Sequence, residues 1–266
     1  MIGSTANPRI KQLVQWQTKA RERKKDNVFV AEGIKMLEEA PADWILDIYI
    51  NEDLANKFKN SKNNKEQALW NKIVQIGFVT VTGEVMKKAA DTKSPQGVLT
   101  VLKRPAYDLE KMLSVENGLY LVLEDLQDPG NLGTIIRTGE SAGVNGIIMT
   151  SKTVDIFNPK TIRSTMGSVY RVPFLYVETL SEVLAKMRKK GIKTYAAHLE
   201  GETYYNSFSF INSTAFIIGN EGMGLKKQTA EEAEFYLKIP MAGQAESLNA
   251  AIASAILMYE AYRQRN

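Results

Sequence analysis

The sequence predicts an α/β protein in two parts. Residues 1–104 form a small α/β module, and residues 105–266 form a larger domain built on a mainly parallel sheet. Three observations carry this reading. The chain of 266 residues is long enough for two ordinary domains. The stretch Lys103-Arg104-Pro105-Ala106 reads as a linker. Beyond it, short apolar runs alternate with helix-like segments, the pattern of a parallel sheet covered on both faces.

The elements follow in order. Residues 8–25 read as one helix, with Asn7 as a plausible N-cap, Pro8 in the first turn, and Ile10, Leu13, Val14 and Gln17 on one face. Residues 28–40 give a short strand and then a helix after Glu32-Gly33. Trp44–Ile50 alternates and is rich in β-formers, so it reads as a strand. The polar stretch 51–70 reads as helix. Ile73–Thr82 and Gly97–Leu102 read as further strands. In the second part the strand candidates are Leu119–Leu123, Ile147–Met149, Val172–Tyr176, Thr194–Ala197, Ala215–Ile218 and Tyr236–Ile239. Thr179–Lys190 is a helix between two of them, and the last helix spans about Ser247–Arg263, with Ser247 or Glu246 as its cap.

Composition removes several classes of chemistry. Apolar residues make up 44% and charged residues 24%, ordinary for a globular chain. No apolar run reaches the ~18 residues of a membrane span, and Met1–Lys25 holds no signal-peptide core. The expected location is therefore cytoplasmic. There is no cysteine, which rules out disulfides, thiolate metal sites and a cysteine nucleophile. The single histidine, His198, cannot build a multi-histidine metal site. The net charge of +4 is uneven: residues 1–104 hold 18 basic against 12 acidic side chains, and the remainder holds 16 against 18. Arg9, Lys11, Lys19, Arg21, Arg23, Lys24 and Lys25 crowd the first 25 residues with only Glu22 against them. Such a patch is the footprint of a phosphate-backbone binder, and equally of a solvated helix face.

In a parallel sheet, ligands bind on loops at the carboxyl ends of strands. Three such loops stand out. In Glu124-Asp125-Leu126-Gln127-Asp128-Pro129-Gly130-Asn131-Leu132-Gly133, Asp128-Pro129 signals a helix start, and Arg137 follows on that helix among apolar residues. Its guanidinium suits a phosphate or carboxylate, or an internal pair with Glu124 or Glu140. Gly219-Asn220-Glu221-Gly222-Met223-Gly224 permits close backbone approach, but its order is GxxGxG and not the dinucleotide GxGxxG, and no P-loop occurs. The third is Ile239-Pro240-Met241 with Ser247-Leu248-Asn249-Ala250-Ala251, opening a helix of small residues suited to close packing.

Together, and in this order, the three loops resemble the motifs of the SpoU (TrmH) family of RNA ribose methyltransferases, of the SPOUT class. Phe157-Asn158-Pro159-Lys160, with Arg163, Met166, Gly167, Ser168 and Pro173, resembles a family segment between the first two, although Ser164-Thr165 stands where the family often has Ala-Ser. The resemblance spans about residues 119–262, and residues 7–102 resemble the family's N-terminal substrate-binding domain, itself similar to a ribosomal RNA-binding protein. It implies a deep trefoil knot at the C-terminal end, a homodimer through the methyltransferase domain with active sites near its interface, and S-adenosylmethionine as methyl donor, without a metal. It implies that Arg137 activates the ribose 2′-oxygen, that Asn131 and Glu221 orient Arg137 or the ribose, and that Ser247 and Asn249 order the knot loops. Backbone groups of Gly219, Ile239 and Leu248, with Met241 near the adenine, are the expected cofactor pocket. His198, in a loop at the same sheet end, is expected at the surface or the pocket edge. The expected substrate is 23S rRNA, with a tRNA 2′-O-methyltransferase and an RNA-binding module with a degenerate site as alternatives.

Overall fold

A computed structural model describes all residues, 1–266, as two compact units. The first comprises Met1–Ala106 and Phe157–Tyr170, and the second comprises Tyr107–Ile156 and Arg171–Asn266. Residues 157–170 thus belong with the N-terminal unit although they lie inside the C-terminal stretch of sequence. Apolar contact explains it: Phe157 packs 4.6 Å from Phe29, and the hydroxyl of Tyr170 donates to the Met36 carbonyl at 3.1 Å.

The first unit opens with α1 (Pro8–Thr18) and α2 (Ala20–Asp26). The side chain of Asn7 accepts from the Arg9 N–H, and Pro8 needs no partner for its missing N–H. The single helix expected over 8–25 is broken, because Lys19 is extended (φ −123°, ψ 110°). Arg23 then turns back, and its guanidinium donates to the carbonyls of Trp16 and Gln17 at the end of α1. There follow β1 (Val28–Glu32), α3 (Ile34–Glu39), β2 (Ile45–Asn51), α4 (Glu52–Lys59), α5 (Asn64–Ile76), β3 (Val79–Val81), α6 (Gly83–Ala89) and β4 (Val98–Lys103). The strands pair in the order β1-β4-β2-β3; β4 runs antiparallel to both neighbours, and β3 runs parallel to β2. Of the strand expected over Ile73–Thr82 only Val79–Val81 is strand, and Ile73–Ile76 is helix. Leu69 and Ile73 are buried at helical spacing, and α5 runs on to Ile76 before Gly77 (φ +93°) ends it.

The second unit contains α7 (Leu109–Met112), β5 (Leu119–Leu123), α8 (Pro129–Ser141), β6 (Gly146–Thr150), β7 (Phe174–Val177), α10 (Ser181–Lys189), β8 (Lys193–Ala197), β9 (Thr214–Ile218), α11 (Lys227–Glu232), β10 (Phe235–Leu237) and α12 (Ala250–Arg265); α9 (Pro159–Thr165) lies in the first unit. Its six strands are all parallel, in the order β10-β8-β9-β5-β6-β7. Every residue of β5, β6 and β9 is buried, as a sheet covered on both faces requires. From β5 the strands first extend outward to β6 and β7, then resume on the other side with β8 before β9 fills the gap. The carboxyl ends of β5, β8, β9 and β10 therefore share one edge at the point where the winding reverses, the place where open parallel sheets hold ligands. Helix α12 packs on α8 and β9. It starts at Ala250 and not at Ser247, because Asn249 is the cap: its side-chain oxygen accepts from the N–H groups of Ala251 and Ile252.

Gln17 is 4% exposed, and neither its side-chain oxygen nor its nitrogen has a partner. A buried unsatisfied amide costs about 1–3 kcal/mol. Gln17→Leu should therefore stabilise the chain against denaturant by about 1 kcal/mol or more. An unchanged or lower midpoint in urea would contradict this account of Gln17.

Candidate active site

The site begins with Glu124, at the end of β5. Its side chain is buried (3% exposed), where a carboxylate must be paired. It accepts from the Lys226 N–H at 2.8 Å and the Thr229 hydroxyl at 2.6 Å, which ties the segment after β9 to the end of β5. Asp125 adopts a left-handed conformation (φ +52°), and its carbonyl accepts from the Asn220 amide at 2.8 Å. Its carboxylate pairs with Lys226 at 2.7 Å. The other end of the Asn220 side chain accepts from the N–H groups of Gly222 and Met223. Asn220 and Gly224 exchange two backbone hydrogen bonds, at 3.0 and 2.9 Å. The turn is so tight that a Cβ on Gly219 would lie 2.2 Å from the Gly224 carbonyl carbon. Only glycine fits position 219, and the reason is backbone against backbone.

This turn presents Glu221 to the start of α8. The carboxylate accepts from the backbone N–H groups of Gln127 and Asp128, both at 3.0 Å, and from the side-chain amide of Asn131 at 3.0 Å. The Asp128 side chain caps α8 through the Asn131 N–H. The oxygen of the Asn131 side chain in turn accepts from the Asn249 amide at 2.9 Å. One continuous chain, Glu221–Asn131–Asn249, thus joins the three loops read from the sequence. Burial alone would raise the Glu221 pKa. The N–H groups of Asp128 and Gln127 and the Asn131 amide outweigh it and hold the carboxyl below its usual range.

Beside this chain lies a cavity of about 390 Å³. Gly219, Ile239, Met241, Ser247 and Leu248 line it, together with His198. A second, more open hollow shares Asn220, Glu221 and Gly222 with it and is otherwise lined by Gln127, Asp128, Pro129, Asn131 and Asn249. Eight of the nine expected catalytic and cofactor residues are therefore brought together. Arg137 is not: it is exposed on α8, lines neither cavity, and has no acidic partner there. The internal pairs considered for it are taken up elsewhere. Glu140 pairs with Arg171, and Glu124 serves Lys226 and Thr229. Arg137 lies six positions beyond Asn131, about 9 Å along the axis and well around the helix. The roles of Glu124 and Gln127 escaped sequence reading, since a buried carboxylate and a backbone N–H donor leave no pattern of their own.

The basic patch changes in one member. Lys11, Lys19, Arg21, Lys24 and Lys25 are exposed. Arg9 is exposed but pairs with Asp47 at 2.9 Å. Arg23 is 3% exposed and spent on the carbonyls of α1, so it holds two helices together and is withdrawn from the phosphate-binding set. No group of three or more His, Asp or Glu side chains is placed to hold a metal ion, and no helix is long and apolar enough to cross a membrane.

These features define an α/β protein with a ligand crevice at the winding reversal of a parallel sheet, joined to a mixed-sheet module. Comparison with known proteins makes this specific. Residues 118–259 match the SpoU rRNA methylase family, and residues 7–100 match the MRM3-like substrate binding domain. The chain is 32% identical to the 23S rRNA (guanosine(2553)-2′-O)-methyltransferase RlmP of Bacillus subtilis, over 97% of each chain. It is 36% identical to an uncharacterized tRNA/rRNA methyltransferase of Synechocystis sp., over 99% of this chain and 94% of the relative. Among solved structures it resembles an AdoMet-bound rRNA methyltransferase from Sinorhizobium meliloti, at 31% identity and a TM-score of 0.86, covering 98% of this chain and 97% of that one. The chain belongs to the SpoU rRNA methylase family.

The lowered pKa of Glu221 has a consequence for stability. A depressed carboxyl stabilises the fold above its unfolded value, about 4.3, and that contribution fades as pH falls through the folded value. Glu221→Gln should therefore be less stable than the parent at pH 7, and the gap should close in acid. Urea unfolding of both proteins at pH 7 and pH 3 tests this; a gap independent of pH would refute the anchoring role.

Proposed function

We propose that this chain transfers a methyl group from S-adenosylmethionine to a ribose 2′-hydroxyl of RNA, with 23S rRNA as the substrate. The observation that carries the proposal is the chain Glu221–Asn131–Asn249, which gathers three loops beside one cavity. At about 390 Å³ the cavity is within the ordinary range for a small-molecule site, ~300–1,000 Å³. Its lining is suited to a nucleoside: apolar side chains of Ile239, Met241 and Leu248, and the backbone of a glycine turn at Gly219. Bound there, the donor supplies a methyl carbon made electrophilic by its sulfonium. The hollow beyond Glu221, on the far side of the shared residues, is assigned to the target ribose.

The chain's own part is to position and to polarise. Glu221, fixed by three donors, holds Asn131 in place, and Asn131 holds Asn249. Holding two reactants in line can supply about 7–11 kcal/mol of a barrier. The 2′-hydroxyl is a weak acid and must gain electron density. Arg137 is assigned to this, as a permanent cation that stabilises the developing alkoxide and the neighbouring phosphate, since a guanidinium does not act as a base at ordinary pH. Ser247, on the cavity wall, is assigned with Asn249 to ordering the loop before α12.

Arg137 lies off both cavities, so the proposal includes a homodimer through the methyltransferase domain that brings it to a target ribose. Ile252, Tyr259 and Tyr262 are exposed along α12, the helix packed on α8, and an apolar row of this kind suits a second copy of the chain. The trefoil knot belongs to the same reading and rests on the membership of the SpoU family. The exposed lysines and arginines of α1 and α2 are assigned to RNA phosphates, which position a substrate without specifying it.

The direct test is to incubate the protein with unmodified 23S rRNA and labelled donor. Label should appear in alkali-resistant dinucleotides; label released as a base-methylated mononucleotide would refute ribose as the acceptor. Arg137→Ala should keep donor affinity and lose turnover on the order of 10²–10³-fold, the scale of removing one oxyanion donor; near-normal turnover would remove Arg137 from the chemistry. Neutralising Lys24 and Lys25 together should weaken RNA binding and reduce the slope of log K against log salt by about 1–2. A slope equal to the parent's would exclude this patch.

A further inference from the structure

The only histidine of the chain stands in the wall of the cavity of about 390 Å³ and has no part in the chemistry above. His198 follows β8. Its N–H donates to the Leu237 carbonyl at 3.0 Å, and its carbonyl accepts from the Gly201 N–H at 3.1 Å, so its backbone is held on both sides. The ring lies 5.2 Å from that of Tyr236, tilted by 33°. Its Nδ1 accepts from the backbone N–H of Glu200 at 3.3 Å. A neutral imidazole has one acceptor nitrogen and one donor nitrogen, so an accepting Nδ1 leaves the proton on Nε2. The structure thus puts a half-buried ring with one uncommitted donor in the wall of a cavity whose lining includes the apolar Ile239, Met241 and Leu248 and the charged Glu200, Lys238 and Glu246. His198 does not line the second hollow, which is assigned to the reacting sugar.

We propose that the Nε2–H of His198 donates a hydrogen bond to the adenosine half of bound S-adenosylmethionine, which makes His198 a cofactor-binding residue. This rests on the cavity lined by Gly219, Ile239 and Leu248 being the cofactor pocket. The adenosine half is chosen because a flat base with ring-nitrogen acceptors suits one uncharged donor beside the apolar Ile239, Met241 and Leu248, whereas the two charges of the methionine half have Lys238, Glu200 and Glu246 in the same lining to meet them.

The test is calorimetric titration of the full chain with S-adenosylmethionine and with 5′-methylthioadenosine, which lacks the amino-acid tail. His198→Ala should weaken both ligands by the same factor, on the order of five- to tenfold, the worth of one hydrogen bond. His198→Gln, whose amide reaches the position of Nε2, should recover most of the affinity. His198→Asn can still accept from the Glu200 N–H, but its shorter amide does not bring a donor to the position of Nε2, and it should not. Because the chain has a single imidazole, its nitrogen NMR signals need no assignment: they should report the Nε2–H form and shift on saturation with 5′-methylthioadenosine. Unchanged affinity in His198→Ala, a loss confined to S-adenosylmethionine, or recovery by Asn and not Gln would each overturn the proposal. Gly219→Val separates the pocket from the residue. If it binds both ligands normally, the cavity is not the cofactor site; if it loses both while His198→Ala does not, only the role of His198 falls.

Discussion

The site depends on one carboxylate at one helix end. The start of α8 exposes N–H groups that no helical carbonyl can reach, and the aligned peptides there carry a partial positive charge. Asp128 satisfies one of these groups from within the helix's own sequence. Glu221 satisfies two more donors just before it from 93 or more residues away in the chain, and takes the Asn131 side chain as well. A carboxylate has two oxygens and accepts only, so it can hold three donors at once. An amide in its place would have one oxygen and would direct an N–H at the helix end.

From that contact the geometry spreads to both cavities. Fixing Glu221 fixes the tight turn 219–224, whose backbone leaves no room for a side chain at Gly219. Fixing Asn131 turns its oxygen toward Asn249, which caps α12 with its remaining oxygen. The placement of α12 on α8 is therefore coupled to the same few polar groups that border the hollow beyond Glu221. The N-terminal unit stands apart from this network in its chemistry, with an exposed basic α1–α2 pair stitched by Arg23 and a mixed sheet in place of a parallel one.

Much of this was legible in the sequence, for identifiable reasons. Buried parallel strands are short apolar runs, so all six were visible within a few residues of their ends. The loops were legible because glycine, asparagine and proline at fixed offsets have few structural substitutes. What misled was local pattern without tertiary context. Ile73 looked like the start of a strand because β-formers follow it, yet its partner was Leu69, four residues back on a helix. Residues 8–25 looked like one helix because nothing in them breaks one; the break at Lys19 lets Arg23 return to the carbonyls of α1. Arg23 itself looked like every other basic residue in its stretch, since charge in sequence does not reveal burial. The cap of α12 was misplaced because Ser247 is as competent a cap as Asn249 in sequence, and Asn249, which also bonds Asn131, is the one that caps.

The most direct measurement of the central claim is a crystal structure with S-adenosylhomocysteine bound. The account predicts the ligand between the 219–224 turn and the 239–249 loop, with the Glu221–Asn131–Asn249 chain intact beside it. A ligand seated elsewhere, or bound with that chain broken, would contradict it.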